Sequence, residues 1–255
     1  MAESLITCRG VDKKFATKGG VVDVLHDINF HIPRGSLTII FGPSGSGKTT
    51  LMNVISGLEP PSKGNLIIDG HDLYSMDADR RSHFRAQTMG IVHQQNYWIK
   101  SLNVLENVAI PLYLGGKDRK SARLIATESL DRVGMKDFAE RLPTVLSGGQ
   151  QQRVSMARAL AAGKELILAD EPTGNLDSKS GDMIINLLLS IQKDLKRTVV
   201  LVTHNIEYLP LSDKQLYVHD GYLAEATKGE KMPEEILNSL KSQIESLTQM
   251  QGGRG

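Results

Sequence analysis

The sequence predicts an α/β protein built on a parallel sheet with helical cover, and three observations predict it. A continuous apolar run, Leu37-Thr38-Ile39-Ile40-Phe41, stops at glycine, and helical periodicity follows in Thr49-Thr50-Leu51-Met52-Asn53-Val54-Ile55. Two more apolar runs of strand length stand at residues 165–169 and 199–203. A helical run over residues 182–195 separates them. Unbroken apolar runs of this length belong to strands buried on both faces. Strands that alternate with helices argue for a parallel sheet.

Residues 4–41 alternate apolar and polar in short β-like runs, such as Leu5-Ile6-Thr7-Cys8 and Val22-Asp23-Val24-Leu25. Residues from about 77 to 165 read mainly as helices, with helical spacing clearest at 121–133 and 150–162. This segment is expected to be a helical insertion. No tandem repeat or low-complexity block interrupts the chain. Thr227-Lys-Gly-Glu-Lys reads as a linker, and residues 233–250 as an amphipathic helix. Pro233 suits its first position, Glu234 and Glu235 its first turn, and Leu237, Leu240, Ile244 and Leu247 share one face. The closing Gly-Gly-Arg-Gly is expected to be disordered. Residues 1–227 are thus expected to form the main domain and 228–255 a C-terminal helix and tail.

Composition limits the function classes. Of 255 residues, 40% are hydrophobic and 23% charged, which fits a globular protein with a sizeable core. Thirty lysines and arginines balance 29 acids for a net charge of +1, so no global basic field for nucleic acid exists. A single cysteine, Cys8, excludes an intramolecular disulfide framework and reads as a small hydrophobe. The opening Met1-Ala-Glu-Ser-Leu-Ile-Thr lacks the cationic start and apolar run of a secretory signal. No stretch nears the roughly 20 apolar residues that cross a bilayer. Any membrane role is expected to be peripheral, through a partner.

Chemistry enters at Gly42-Pro43-Ser44-Gly45-Ser46-Gly47-Lys48-Thr49, which satisfies G-x-x-x-x-G-K-[ST] between a buried strand and a helix that continues through Thr50. The glycines let backbone N–H groups curl against phosphate oxygens. The following helix directs its positive end at the same oxygens. Lys48 supplies a compact cation for the β- and γ-phosphates, and Thr49 a hydroxyl for Mg²⁺.

A second site stands at Leu166-Ile-Leu-Ala-Asp170-Glu171, an apolar strand that delivers two acids to the carboxyl edge of the sheet. Asp170 is expected to hold Mg²⁺, and Glu171 to polarise the attacking water as general base. His204 follows the 199–203 strand and reaches the same edge, where it is either a structural histidine or a sensor of the γ-phosphate. Gln94 and the adjacent Gln95 follow the short apolar run Gly90-Ile91-Val92, and either is placed to contact Mg²⁺ or water.

At Leu146-Ser147-Gly148-Gly149-Gln150 the chain strongly resembles the signature of ATP-binding-cassette (ABC) proteins, and it continues Gln151-Gln152-Arg153 as in many members. The resemblance covers roughly residues 4–225. It implies a P-loop NTPase core of the RecA-like kind, an N-terminal antiparallel β subdomain and a helical signature subdomain at about 77–165. It also implies that Ser147, Gly148, Gly149 and Gln150 face the γ-phosphate bound by a second subunit, so that two ATP molecules are sandwiched head to tail. By the same resemblance Phe15 matches the aromatic that stacks on adenine, where tyrosine is commoner. Gln94 matches the glutamine-loop residue that contacts the metal, although His93 before it is unusual. Asp177 matches the loop that crosses the dimer, and His204 matches the switch histidine.

Gly174-Asn175-Leu176-Asp177 looks like the branch that contains lipoprotein-release, macrolide- and peptide-export and cell-division ATPases. The resemblance therefore implies an ATP-hydrolysing subunit with ATP and Mg²⁺, a second nucleotide-binding subunit and a separate transmembrane permease. Its place would be the cytoplasmic face of the membrane. Two alternatives are an import-type ATPase for amino acids or similar solutes, and a soluble ABC ATPase acting on DNA repair or ribosomes. The Gly-Asn-Leu-Asp form argues against the first. A single cassette without a long coiled-coil insertion argues against the second.

Overall fold

A computed structural model describes residues 3–227. The linker and the 233–250 helix expected near the C-terminus lie outside the described residues, apart from Thr227 itself.

The first two strands are far longer than the short runs suggest. β1 (Ser4–Thr17) and β2 (Gly20–Pro33) are 14 residues each and pair antiparallel through several register shifts. Those irregularities break the strict alternation, which is why the sequence shows fragments in place of one strand. With β4 (Lys63–Ile68) and β5 (His71–Asp72) they form a sheet of order β2-β1-β4-β5. All its pairings are antiparallel, as the family resemblance implies.

The second sheet has the order β10-β9-β3-β8-β7-β6. β3 (Leu37–Phe41), β6 (Met89–Val92), β7 (Leu166–Asp170), β8 (Thr198–Val202) and β9 (Lys214–His219) run parallel. β10 (Tyr222–Thr227) closes the edge antiparallel, a hairpin the sequence pattern does not announce. β7 and β8 sit within one residue of the expected runs. Their faces explain why they read as continuous. Leu37, Ile39, Phe41, Ile167, Ala169, Val199 and Leu201 enter one core. Ile40, Leu166, Leu168, Val200 and Val202 enter the other, shared with the antiparallel sheet and α1 (Lys48–Ile55).

The 77–165 segment is mainly helical but carries one correction: β6, a strand of the parallel sheet, lies inside it. Four residues are too few for periodicity to separate a strand from a buried helical turn. Around it stand α2 (Ala78–Thr88), α3 (Val104–Leu114), α4 (Arg119–Arg132) and α5 (Gly148–Ala161). α6 (Ser178–Asp194) starts four residues before the expected run, because Asp177 caps it by accepting the Ser180 N–H at 3.0 Å. Cys8 is fully inside, its Sγ donating to the Ile28 carbonyl at 3.4 Å, and burial pushes its thiol up to about 12. A thiol held so far from its thiolate is inert. Among the described residues no helix is long and apolar enough to cross a membrane.

Candidate functional site

The parallel strands β3, β7 and β8 all end at one edge, and the loops leaving them supply the site. After β3 the chain turns at Gly42, where a Cβ would come within 2.0 Å of the Val218 carbonyl oxygen of β9, so only glycine fits. Gly47 then caps α1 with no side-chain hydrogen bond, so the first N–H groups of α1 have no side-chain cap. Lys48 is 8% exposed, and its ammonium donates to the carbonyls of Gly42 at 2.9 Å and Pro43 at 2.6 Å. Burial pulls its pKa down, and the nearby Glu171 and Asp170 charges only partly restore it. The Ser46 hydroxyl is buried without a hydrogen-bond partner. A buried cation and an unsatisfied hydroxyl at a bare helix start are the groups an anion would satisfy.

β7 delivers the acids. Asp170 is its last residue, and burial, then the Glu171 charge, pushes its carboxyl above the usual range against the pull of Lys48. Its Oδ1 is buried with no hydrogen-bond partner. Glu171 follows in a left-handed conformation (φ 46), a strained backbone for a residue with a side chain, while its N–H still donates to Val202 of β8 at 3.0 Å. Its Oε2 lies 2.7 Å from His204 Nδ1 beyond the end of β8. With Glu171 ionised, that contact is an Nδ1–H donation, which leaves Nε2 free for another group.

One cleft of about 400 Å³ gathers Ser44, Gly45, Gly47, Lys48, Thr49, Thr50, Gln94, Glu171 and His204. Four segments far apart in sequence meet there. Val24 of β2 also lines it, a residue the sequence does not mark because only the packing of the two sheets brings it in. Gln94 rather than Gln95 faces this cleft, whereas both line an adjoining polar cavity with Asn96, Asn175 and Glu171.

Other expected residues stand apart. Ser147, Gly149 and Gln150 border a small hollow with Arg153, Ser180 and Met183, and no phosphate-loop residue reaches it. Gly148 packs toward Leu176 and borders the adjoining cavity that Gln94 and Glu171 also line. Ser147 caps α5 in a reciprocal box: its Oγ accepts the Gln150 N–H at 3.3 Å, and Gln150 Oε1 accepts the Ser147 N–H at 2.9 Å. Asp177 is exposed, and the Ser180 N–H and hydroxyl hold its carboxyl below the usual range. Phe15 sits on β1 opposite Val22, with the Lys13 ammonium 4.6 Å from its ring centre, and it does not line the cleft.

A family model described as "ABC transporter" matches residues 25–174. The lipoprotein-releasing system ATP-binding protein LolD of Shewanella oneidensis is 37% identical over 223 residues, covering 88% of this chain and 97% of that protein. The macrolide export ATP-binding/permease protein MacB of Shewanella sp. is 38% identical over 236 residues. That match covers 92% of this chain but 36% of MacB, so the chain spans about a third of that relative. Among solved structures, the dimeric form of MJ0796, described as a bacterial ABC transporter cassette, is 37% identical with a TM-score of 0.82. It aligns over 89% of this chain and all of that one. A second MJ0796 dimer, in a post-hydrolysis state bound to ADP and Pi, is 36% identical with the same TM-score.

Proposed function

The chain belongs to the ABC transporter family, and on that premise we propose that it binds and hydrolyses ATP to drive a separate membrane-spanning subunit of the export type. The observation that carries this reading is the single cleft joining Lys48, Thr49, Gln94, Glu171 and His204 at the uncapped start of α1.

Each residue has a task that follows from its surroundings. The polyphosphate would lie against the loop from Gly42 to Thr50. Lys48 would exchange the Gly42 and Pro43 carbonyls for β- and γ-phosphate oxygens. An anion there adds opposite charge where Glu171 and Asp170 only partly compensate the burial of the ammonium. Glu171, held in place by His204, would accept a proton from the attacking water. His204 Nε2 would then face the γ-phosphate. Phe15, beside the Val22–Val24 stretch of β2, would meet the adenine.

Mg²⁺ fits the residues present, because the partnerless buried oxygen of Asp170 asks for a cation. Among the described residues no group of three or more histidine, cysteine, aspartate or glutamate side chains is placed to hold a metal, so the nucleotide would have to complete the coordination. Thr49, Asp170 and Gln94 would hold the ion, which when bound neutralises phosphate charge.

Ser147, Gly148, Gly149, Gln150 and Asp177 do not line this cleft, although Gly148 borders the cavity that adjoins it, and this supports a second copy arranged head to tail. That copy's signature turn would close over the γ-phosphate. The permease would hold the pair at the cytoplasmic face of the membrane. Relatives named for lipoprotein release and macrolide export support the export-type reading over the import type.

The test is Glu171→Gln with MgATP. Phosphate release is expected to fall about 10²–10⁴-fold. ATP binding persists and a dimer accumulates in light scattering. Turnover at the parental rate overturns the base assignment.

A further inference from the structure

We propose that Lys13 is the positioning residue of the base platform: its buried ammonium sets the Phe15 ring and ties that ring to the far end of α1, the helix whose start faces the phosphates. The inference rests on the ATP-binding reading above, in which Phe15 meets the adenine, and adds the residue through which that ring is held.

Lys13 lies on β1 between two register shifts, one from Val11 to Lys13 and one from Lys13 to Lys14. Irregularities of this kind re-aim a side chain. Exposure shows the result. Lys13 is 6% exposed, whereas Lys14 beside it is exposed and pairs with Asp23 at 3.0 Å. A lysine is almost never buried unless its charge is paired. The ammonium has three N–H donors. It donates to Glu59 Oε1 and to the Pro60 carbonyl, each at 2.7 Å. Among the described residues the third donor has no hydrogen-bond acceptor, and the Phe15 ring stands within reach, its centre 4.6 Å from Nζ. A cation at that distance is attracted to the face of an aromatic ring. Phenylalanine has no polar handle of its own, so contact with its ring is what can fix it. The ammonium takes one face, and the base has the other.

The bonds to Glu59 and Pro60 carry this anchor to α1. The N–H groups of Leu58 and Glu59 both donate to the Asn53 carbonyl of α1, at 3.0 and 3.2 Å. The Glu59 carbonyl in turn accepts the Tyr74 hydroxyl at 2.8 Å. The first residue of the same helix is Lys48, in the nucleotide cleft. Phe15 and the phosphate loop belong to different sheets, and they must keep a fixed spacing to grip the two ends of one nucleotide. Lys13 joins them through a side chain. Its effect is therefore confined to ligands that carry a base.

Calorimetric titration of the full chain with MgATP and with magnesium tripolyphosphate, which has the phosphates and no base, supplies the experiment. The ratio of the two affinities reads what the base adds, and stacking on one aromatic ring predicts a preference for ATP of about tenfold in the parent. Lys13→Met keeps the length of the side chain and removes the cation. It is expected to weaken MgATP about fivefold and to leave tripolyphosphate within about twofold, which also shows that the phosphate loop still folds. In a Phe15→Leu background the same exchange should leave MgATP unchanged, because the ring through which Lys13 acts is gone. Glu59→Ala releases the ammonium from a carboxylate that is 35% exposed, and is expected to lower the preference for ATP about threefold. If Lys13→Met does not fold, Glu59→Ala alone decides. A parent that prefers ATP and variants that keep the full preference overturn the proposal. So does an equal loss for both ligands, the result of a lysine that only seals β1 against α1, or a loss on Lys13→Met that persists undiminished with Phe15→Leu. A parent that binds tripolyphosphate as tightly as ATP takes Phe15 away from the adenine and this inference with it, and leaves the role of Glu171 standing.

Discussion

Two helices of this protein begin with glycine-rich turns, and the two starts are finished in opposite ways. α1 opens behind Gly47 with no side-chain cap, and a buried lysine is its first residue. α5 opens behind an exposed Ser147 that exchanges hydrogen bonds with Gln150. A helix start leaves four N–H groups without partners in the helix. At α1 those groups, Lys48 and the Ser46 hydroxyl wait on a ligand. At α5 the cap already satisfies part of the demand, and Arg153 is the cation bordering the hollow. On the proposed function the first start would be a standing anion site, and the second a weak one that contributes once an anion is carried to it. Affinity would then belong to α1, and completion of the site to α5.

The largest break in that contrast comes from Lys48→Ala. ATP affinity is expected to fall about 100-fold or more, with turnover lost as well, because a charge-assisted contact in a partly desolvated cleft disappears. Titration with a fluorescent ATP analogue reads it. Affinity within about threefold of the parent would mean that backbone N–H groups suffice and that the two starts are less different than their caps suggest. Ser147→Ala acts on the other side. Affinity of the isolated chain is expected to stay within about twofold, while ATP-driven dimerisation and turnover fall about tenfold. Loss of the cap is expected to lower unfolding stability by about 1 kcal/mol in a denaturant titration. An affinity loss as large as that of Lys48→Ala would place Ser147 on its own chain's nucleotide.

The difference between the two starts also shows what was legible in the sequence. Gly42–Thr49 is contiguous, and each residue type carries its own chemistry, so the loop and its flanking strand and helix are visible in one line. Asp170 and Glu171 are legible because the strand before them is uniformly apolar. Convergence is harder to read. That Gln94 faces the cleft while Gln95 faces only the adjoining cavity depends on the direction of the turn after β6, a strand too short to leave a periodic trace. Val24 enters the cleft through the packing of one sheet on the other, which no local pattern encodes. The long strands β1 and β2 were fragmented by their own register shifts. Leu146–Gln150 reads both as the signature and as an ordinary helix cap, and the structure shows the cap as a reciprocal box between Ser147 and Gln150.

The smallest expected effect tests why α5 starts with two glycines. A Cβ on Gly149 would stand 3.2 Å from Ser180 Oγ and 3.3 Å from Ser180 Cβ, so the starts of α5 and α6 abut there. Ser180 has little room to yield, because its N–H and hydroxyl both bond Asp177 at the cap of α6. Gly149→Ala should therefore overpack the contact and cost about 1 kcal/mol of stability, read by thermal or denaturant unfolding. Ser180→Gly removes the obstructing side chain. If the close approach is what requires glycine, the double variant should be no less stable than Ser180→Gly alone, a coupling that a double-mutant cycle isolates. Additive losses would mean instead that Gly149 answers to the anion and not to α6. The signature turn would then be shaped by its ligand alone, without mechanical contact with the Asp177 loop.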